Sequence, residues 1–193
     1  GGGREHAILR KLRENPDVTT VYALPGNGGM ADEATCVNIS ATDLDGIVEF
    51  AKSHPVDYAV VAPDDPLVLG CVDRLNELGI PCFGPKANAA IIEGSKAFSK
   101  DLMKKYGIPT AKYETFTDME AALNYVNTQE MPIVVKADGL ALGKGVLICQ
   151  TRQEAVEAVT DMMANAKFGK SGSTVVIEEF LTGPELTVLS FTD

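Results

Sequence analysis

The stretch from Lys136 to Gly145, KADGLALGKG, combines cationic side chains with glycines at the tip of a predicted hairpin. Lys136 lies in an otherwise apolar strand candidate, where a charge is costly to bury unless an anion accompanies it. The turn adds backbone N–H groups and further charge, from Gly139, Gly143, Lys144 and Gly145. Such a set suits a polyphosphate, although a strand follows where a Walker A lysine would open a helix. The plainer alternative is an exposed hairpin whose lysines are incidental.

A second cluster, at residues 175–185, has features that suit a nucleoside. An apolar strand candidate ends in two acids and an apolar pair: Glu178, Glu179, Phe180 and Leu181. Backbone groups and apolar side chains there can line an adenine ring, and Glu185 can accept hydrogen bonds from ribose hydroxyls. An edge strand with solvated acids explains the same pattern equally well.

Three loops in the first 70 residues predict a site for a phosphorylated small molecule. One is a glycine-rich turn before a helical run, and a helix N-terminus offers free N–H groups and a positive dipole end to an anion. The other two follow strand candidates, and such loops meet at one edge of an open α/β sheet, where ligands bind. Each alone is equally consistent with a plain turn. The candidate residues are Gly2, Gly3, Arg4, Glu5, His6, Pro25, Gly26, Asn27, Asp64 and Pro66.

Composition narrows the class of protein. The chain has 193 residues, a 45% apolar fraction and a formal charge of −10 from 17 basic and 27 acidic side chains, which argues against disorder and against nucleic-acid binding. Phosphorylated small ligands remain possible, because a local pocket can be positive on an acidic protein. No apolar run approaches the roughly 18 residues needed to cross a membrane, and the first residues do not resemble a signal peptide. We therefore expect a cytoplasmic protein.

Metal and covalent chemistry find little support in the sequence. The histidines are His6 and His54, and no two cysteines have C-x-x-C spacing. This inventory disfavours a zinc site. We expect four reduced, mostly buried thiols, at Cys36, Cys71, Cys82 and Cys149.

Short β-branched runs alternate with amphipathic runs, which is typical of an α/β protein. Helices are predicted to begin near residue 7 and at Thr42, Pro66 and Ser95, and after capping boxes at Thr117 and Thr151. The predicted strands are Val18–Ala23, Tyr58–Ala62, Ile80–Phe83, Ile133–Ala137, Gly145–Cys149, Thr174–Phe180 and Leu186–Phe191.

The order of these elements predicts two domains. The βαβα order of the first part favours a parallel sheet with helices on both faces. Strands Ile133–Ala137 and Gly145–Cys149 are separated by only seven residues, too few for a crossover helix, so they should pair antiparallel. We place the domains at residues 1–111 and 112–193.

The residues at both ends of the sequence indicate that it is a piece of a longer protein. A glycine-rich turn normally follows a strand, and here it begins the chain, so we expect one apolar strand before it. The last strand candidate runs into Asp193 without a closing element.

Taken together, the motifs resemble the phosphoribosylamine–glycine ligase (glycinamide ribonucleotide synthetase) family, which is of the ATP-grasp type. They occur in family order over nearly all 193 residues. The matching pieces are GGGREHA at residue 1, PGN at 25, FGP at 83, EGSKAFSK at 93, GIPT at 107, VKADGLALGKG at 135 and EEFL at 178.

The resemblance implies a fold and a reaction. The fold would be a Rossmann-like, parallel-sheet pre-ATP-grasp domain, followed by an antiparallel α+β ATP-grasp flap subdomain and the truncated start of the ATP-grasp core. ATP, with Mg²⁺ or Mn²⁺, would phosphorylate glycine, and the amine of 5-phosphoribosylamine would displace phosphate, as in de novo purine synthesis. Positioning and charge neutralisation would carry that catalysis.

The resemblance also implies residue roles. Lys136 would contact the α- and β-phosphates, and Gly139, Gly143, Lys144 and Gly145 would close over the triphosphate. Either Lys96 or Lys100 would be a further phosphate-side lysine. Glu178, Glu179, Phe180 and Leu181 would line the adenine and Glu185 would hold the ribose, while the three early loops would face the phosphoribosylamine.

Two departures limit what the resemblance carries over. The chain has Ala62-Pro63-Asp64 where many members have Gly-Pro-Glu, so the acid is one methylene shorter. The metal ligands and most glycine contacts are expected beyond Asp193, in a missing C-terminal half, so no metal ligand and no catalytic residue is assigned in this chain. We expect the chain alone to be inactive. The alternatives are another ATP-grasp carboxylate–amine ligase, a non-catalytic nucleotide-binding module, or a structural piece that pairs with a second half.

Overall fold

A computed structural model describes residues 1–140, 145–164 and 173–190. The chain divides into two compact units, Gly1–Gly94 and Ser95–Asp193. The domain limits at residues 111 and 112 stay a prediction. Within the described residues no helix is both long and apolar enough to cross a membrane.

The first unit contains two separate pairs of parallel strands and five helices. Strand β1 pairs with β2, and β3 pairs with β4, both in parallel, which confirms the parallel character predicted for this part. The elements are α1 (Gly3–Arg13), β1 (Tyr22–Ala23), β2 (Thr35–Cys36), α2 (Leu44–Ser53), β3 (Ala59–Val60), α3 (Asp64–Val68), α4 (Cys71–Glu77), β4 (Cys82–Phe83) and α5 (Ala87–Gly94).

Glycine conformation explains two local features of this unit. The single helix predicted from Pro66 is two helices, because Gly70 has a φ of +89° and interrupts the helical path between α3 and α4. Gly84 has a φ of +143°, and a Cβ there would lie 2.9 Å from the Val61 carbonyl oxygen. The turn after β4 therefore requires glycine.

The second unit is built on one antiparallel sheet with strand order β5-β8-β6-β7. Helices α7 and α8 pack against it, and the core between them includes Val126, Val135, Val159 and Ile177. The elements are α6 (Lys96–Tyr106), β5 (Tyr113–Phe116), α7 (Met119–Thr128), β6 (Ile133–Ala137), β7 (Val146–Cys149), α8 (Arg152–Met163) and β8 (Val175–Glu179). A mixed α/β fold, parallel first and antiparallel after, is thus confirmed.

Several predicted boundaries in this unit are confirmed. The β6–β7 hairpin is antiparallel, with Ile133 opposite Cys149. Ser95 caps α6, and Gly107 ends it in the left-handed region with a φ of 66°. Thr151 caps α8 in a capping box with Glu154.

Other expectations are wrong. Asp118, not Thr117, caps α7, because its carboxylate accepts from the backbone N–H of Ala121 at 2.8 Å. Strands β2 and β5 were not predicted. Residues 186–190 form no strand and are exposed, because no strand pairs with them in the described part of the chain. The thiols are less buried than expected: Cys71 and Cys149 are buried, while Cys82 is half-buried and Cys36 exposed.

Candidate functional site

A buried carboxylate between two ammonium groups forms the centre of the second unit's charged cluster. Oε2 of Glu178 lies 2.9 Å from Nζ of Lys136 and 2.9 Å from Nζ of Lys100. Glu178 is 5% exposed and Lys100 is 7% exposed, so both charges are largely removed from water. We call these three residues the Lys100–Glu178–Lys136 cluster; its formal charge is positive.

The antiparallel register brings Lys136 and Glu178 together. Lys136 is opposite Val176 and Glu178 is opposite Val134, so the two charged residues are diagonal neighbours on one sheet face, within reach of long side chains. The alternate residues, such as Val135 and Ile177, point to the other face and into the apolar core. The anionic partner that the sequence requires for Lys136 is therefore Glu178.

Lys100 is held from several sides. Its Nζ donates to Oγ1 of Thr110 at 2.7 Å and to the carbonyl oxygen of Ala111 at 3.5 Å, and it lies 5.5 Å from the ring centroid of Tyr113. Burial first, and then the hydrogen bond to Asp101, raises the pKa of Tyr113 to about 12. The ring therefore stays neutral beside the cluster at ordinary pH.

Glu178 keeps one acceptor unused in the described part of the chain. Its Oε1 is buried and receives no hydrogen bond there. Buried polar atoms without a partner are uncommon in folded proteins. This oxygen is therefore available to accept a hydrogen bond from a bound ligand.

Asp138 anchors the start of the glycine-rich loop to the N-terminus of α6. Its carboxylate accepts from Oγ of Ser95 at 3.1 Å and from the N–H of Ala97 at 3.0 Å. Lys96 donates from Nζ to the carbonyl oxygen of Gly139. The sequence analysis assigned no role to Asp138; the available signal was an acid directly after the end of strand β6, two residues beyond Lys136.

The two lysines left open by the sequence lie in different places. Lys100 belongs to the buried cluster, whereas Lys96 contacts the loop backbone at Gly139. At the far end of the loop, the carbonyl oxygen of Gly145 accepts from the N–H of Ala137 at 2.8 Å, which closes the hairpin. Gly143 and Lys144 lie outside the described residues.

The remaining candidates of the nucleoside cluster lie at and beyond the end of β8. Oε1 of Glu179 accepts from the N–H of Lys112 at 2.8 Å, so this carboxylate is already engaged at the edge of β5. Phe180 is half-buried, while Leu181 and Glu185 are exposed. The structure thus brings Glu178 to the lysines and leaves Leu181 and Glu185 at the surface.

In the first unit, Asn27 joins two of the three predicted loops. Its Nδ2 donates to the carbonyl oxygen of Gly1 at 2.9 Å, and its Oδ1 accepts from the N–H of Gly29 at 2.8 Å. Oε2 of Glu5 accepts from the N–H of Gly2 at 2.6 Å, which fixes the start of α1. The glycine-rich turn and the loop at residue 25 are therefore adjacent.

His6 is paired with an acid that the sequence did not suggest. Nε2 of His6 lies 3.3 Å from Oε1 of Glu33, and Nε of Arg10 lies 3.6 Å from the same oxygen. The third loop contributes Pro66 to the cavity that Gly1 and Gly26 also line. Asp64 and Arg4 are exposed, and neither is among the lining residues of that cavity.

No group of three or more potential metal ligands occurs in the ranges that the structure describes. The expectation that metal ligands lie beyond Asp193 stays a prediction.

Comparison with known proteins gives matches over the whole chain. The phosphoribosylglycinamide synthetase N domain matches residues 1–93, and the ATP-grasp (A) domain of that family matches residues 94–193. The phosphoribosylamine–glycine ligase of Vibrio vulnificus (strain YJ016) is 52% identical over 194 residues, covering 100% of this chain and 45% of that protein. The Listeria monocytogenes enzyme of the same name is 52% identical, covering 98% and 46%. The chain thus spans less than half of these relatives.

Solved structures agree with these matches. The crystal structure of phosphoribosylamine–glycine ligase from Thermotoga maritima has a TM-score of 0.78 at 34% identity, and it covers 95% of this chain and 43% of its own. A biotin carboxylase domain from Hydrogenobacter thermophilus shares the fold at 20% identity, with a TM-score of 0.72 over 91% of this chain and 42% of its own. The resemblance predicted from the motifs is confirmed: the chain belongs to the phosphoribosylglycinamide synthetase family.

Proposed function

We propose that the chain is part of an ATP-dependent ligase that joins glycine to 5-phosphoribosylamine. Family membership supports this, as do relatives named phosphoribosylamine–glycine ligase. The observation that carries the proposal is the Lys100–Glu178–Lys136 cluster, in which two cations share one buried carboxylate oxygen. Such a site is prepared for an anion, because two ammonium groups and one carboxylate leave a positive charge largely out of water.

In this proposal the two buried lysines have different tasks. Lys136 is 25% exposed in its side chain, and Lys100 only 9%. Lys136 binds the α- and β-phosphates, and Lys100 stays with Glu178, so that Glu178 keeps an ion-pair partner when Lys136 moves to the phosphates. Lys96 holds the loop at Gly139, and the segment up to Gly145, with Gly143 and Lys144, covers the triphosphate.

The adenosine lies against the end of β8. Oε1 of Glu178 has no donor in the described part of the chain, and the adenine amino group is a donor that can reach a carboxylate. Phe180 and Leu181 provide apolar contact, the backbone at Glu179 provides polar groups, and Glu185 binds the ribose.

The 5-phosphoribosylamine site lies at the loops of the first unit. The turn from Gly2 to His6 offers backbone N–H groups and the cation Arg4, and Asn27 ties this turn to the Pro25–Gly26 loop. Asp64 and Pro66 are the remaining residues of this site. Glu33 orients His6 from 3.3 Å.

The reaction transfers the γ-phosphoryl group of ATP to the glycine carboxylate and releases ADP. The amine then attacks the acyl carbon and forms the C–N bond; the C–O bond to the phosphoryl group breaks, inorganic phosphate leaves with the bonding electrons, and the amine loses one proton. Mg²⁺ or Mn²⁺ would neutralise phosphate charge, with ligands expected beyond Asp193. The missing C-terminal half also supplies the glycine contacts, so the chain alone should not complete the reaction. A cytoplasmic location fits a step of purine synthesis.

Calorimetric titration of the chain with Mg-ATP tests the phosphate site. We expect binding in the parent chain, at least about tenfold weaker binding in Lys136→Ala, about 1.4 kcal/mol, and no change in Lys105→Ala, which removes an exposed lysine of α6. Equal affinities in the parent and Lys136→Ala would contradict the assignment of Lys136.

The substrates are tested on the chain extended to the length of its relatives. ADP release should require both glycine and 5-phosphoribosylamine. Release with another acid and amine would indicate a different ATP-grasp ligase. Binding of NAD⁺ to the first unit, without ATP binding to the second, would favour a nucleotide-binding module.

A further inference from the structure

Two buried side-chain atoms of the second unit have no hydrogen-bond partner within the ranges that the structure describes. One is Oε1 of Glu178, and the other is the hydroxyl oxygen Oγ1 of Thr115. The two groups are complementary, because a hydroxyl group can donate a hydrogen bond whereas an ionised carboxylate can only accept one. Buried polar groups are rarely left unpaired in folded proteins, so two such atoms in one unit require an explanation.

The register of the sheet places Thr115 beside Glu178. Thr115 is opposite Val176 in the pairing of β5 with β8. Val176 and Glu178 are alternate residues of β8 and point to the same face of the sheet. Thr115 is therefore the diagonal neighbour of Glu178 on the β5 side, just as Lys136, which is also opposite Val176, is its diagonal neighbour on the β6 side. Residues in this relation lie close enough for long side chains to meet.

The present contacts of Glu178 engage one oxygen of its carboxylate. Nζ of Lys136 and Nζ of Lys100 each lie 2.9 Å from Oε2. The two ammonium groups hold the carboxylate by this oxygen, and Thr115 makes no hydrogen bond with the other. A purely structural role does not explain a threonine here, because valine has nearly the same shape and would bury no unpaired hydroxyl group.

We propose that Thr115 is a positioning residue of the nucleotide site, whose hydroxyl group donates to Glu178 when Lys136 leaves that carboxylate for a phosphate. This inference rests on the proposed function, in which Lys136 binds the α- and β-phosphates. Departure of Lys136 leaves Glu178 with Lys100 as its remaining cationic partner, so the carboxylate is free to turn. Rotation of both side chains between staggered positions then brings the hydroxyl group of Thr115 to Oε1.

The new hydrogen bond makes the release of Lys136 less unfavourable. A buried carboxylate that loses a charged partner is strongly destabilised, and a hydrogen bond from a hydroxyl group to an ionised oxygen is among the stronger ones. Thr115 therefore raises the affinity for the nucleotide without touching it. The adenine amino group can still reach Oε1 of Glu178, because each carboxylate oxygen can accept two hydrogen bonds.

A stability comparison tests the proposal without nucleotide. Lys136→Met removes the ammonium group from Glu178 and so imitates its departure. Thr115→Val is made in the parent chain and in the Lys136→Met chain, and the thermal midpoint of the second unit is followed through the NMR signals of β6 and β8. Thr117→Val, the same substitution at an exposed position two residues further on, is the matched control.

The effect of Thr115→Val should differ between the two chains. In the parent chain the midpoint should stay unchanged or rise, because the substitution removes a hydroxyl group without a partner. In the Lys136→Met chain it should fall by at least about 4 °C, because a hydrogen bond to the charged Glu178 is lost. Thr115→Ser keeps the hydroxyl group and should lower the midpoint less. Equal effects of Thr115→Val in both chains would overturn the proposal.

Mg-ATP affinity, measured by calorimetry on the chain extended to the length of its relatives, provides the second test. It should fall by at least about fivefold in Thr115→Val, recover in Thr115→Ser and stay unchanged in Thr117→Val. Parent affinity in Thr115→Val, beside the loss expected in Lys136→Ala, would overturn the role of Thr115 and leave the proposed function intact. Equal affinities in the parent and Lys136→Ala would instead contradict the proposed function, and the role of Thr115 with it.

Discussion

The two units differ in how their central strands are flanked. In the second unit β8 lies between β5 and β6, and its residues Val175, Val176 and Ile177 are at most 1% exposed. In the first unit, described throughout, β1 and β3 each have a strand on one side only, and both are half-buried. A strand of two residues with one neighbour cannot bury its side chains as a strand with two neighbours does.

The units also differ in where their charges lie. The second unit holds a carboxylate and a lysine that are almost fully buried, while polar groups of the first unit such as His6 and Glu33 remain partly exposed. Buried ion pairs require fixed partners, because an uncompensated charge in the interior is expensive. A complete sheet provides such fixed positions.

Removal of Glu178 should have the largest effect. Glu178→Ala leaves the ammonium groups of Lys100 and Lys136 close together without their anion, so we expect a loss of about 3–5 kcal/mol in the free energy of unfolding. Urea unfolding of the second unit measures this. Glu130→Ala, which removes an exposed acid of the same unit, is the control and should cost less than about 0.5 kcal/mol. Similar losses in both variants would show that the cluster is not buried in solution.

A matched pair of core substitutions compares the units directly. Val135 is 0% exposed between β7 and β8, whereas Val61 is 8% exposed and borders the cavity. Val135→Ala should lower the free energy of unfolding by about 2–3 kcal/mol. Val61→Ala should lower it by about 1 kcal/mol, because the side of Val61 that borders the cavity makes fewer packing contacts. Unfolding of each unit, followed by hydrogen exchange, measures both.

Replacement of Lys100 should have a smaller effect on stability than loss of Glu178. Lys100→Met leaves Glu178 paired with Lys136, so we expect a loss of about 2 kcal/mol. Mg-ATP affinity should also fall, because Glu178 then keeps Lys136 as its ion-pair partner and holds it away from the phosphates. Lys100→Arg should restore part of the affinity. Lys105→Met, at an exposed position of α6, is the control. Unchanged affinity in Lys100→Met would contradict the positioning role.

The sequence predicts much of the second unit and less of the first. The β6–β7 hairpin follows from two apolar runs with a short link, and the need for an anion beside Lys136 follows from its place in an apolar strand. The identity of that anion does not, because Glu178 is 42 residues away and reaches Lys136 only through the pairing of β6 with β8.

There are also physical reasons why strands β2 and β5 are not evident from the sequence. Strand β5 contains Thr115 and the exposed Glu114, so it lacks a continuous apolar run and is a strand only because β8 pairs with it. Strand β2 has two exposed residues, Thr35 and Cys36, and depends in the same way on β1. Residues 186–190 show the converse: β-branched residues without a partner in the described part of the chain remain outside any strand.

The N-cap of α8, Thr151, contributes to the stability of the second unit. Oγ1 of Thr151 accepts from the N–H of Glu154 at 3.2 Å, so Thr151→Ala should lower the free energy of unfolding by about 1 kcal/mol. Thr117→Ala, before α7, should cost almost nothing, since Asp118 caps that helix. Equal costs for the two threonines in urea unfolding would contradict this assignment of the caps.

The smallest effect we expect is on the alkaline side of the stability profile, at Tyr113. Burial and the hydrogen bond to Asp101, 2.8 Å from the phenol oxygen, raise its pKa to about 12, whereas the pKa of a tyrosine in the unfolded chain is about 10. A raised pKa means that the folded state holds the proton more tightly, so the contribution of Tyr113 is fully present below about pH 10 and decreases as the pH rises towards about 12. Tyr113→Phe removes both the hydrogen bond and the ionisation. The difference in unfolding free energy between the parent and Tyr113→Phe should therefore be constant up to about pH 10 and shrink above it. A difference that stays constant through pH 12 would show that Tyr113 ionises equally in the folded and unfolded chain, and that the phenol is not held by Asp101 in solution.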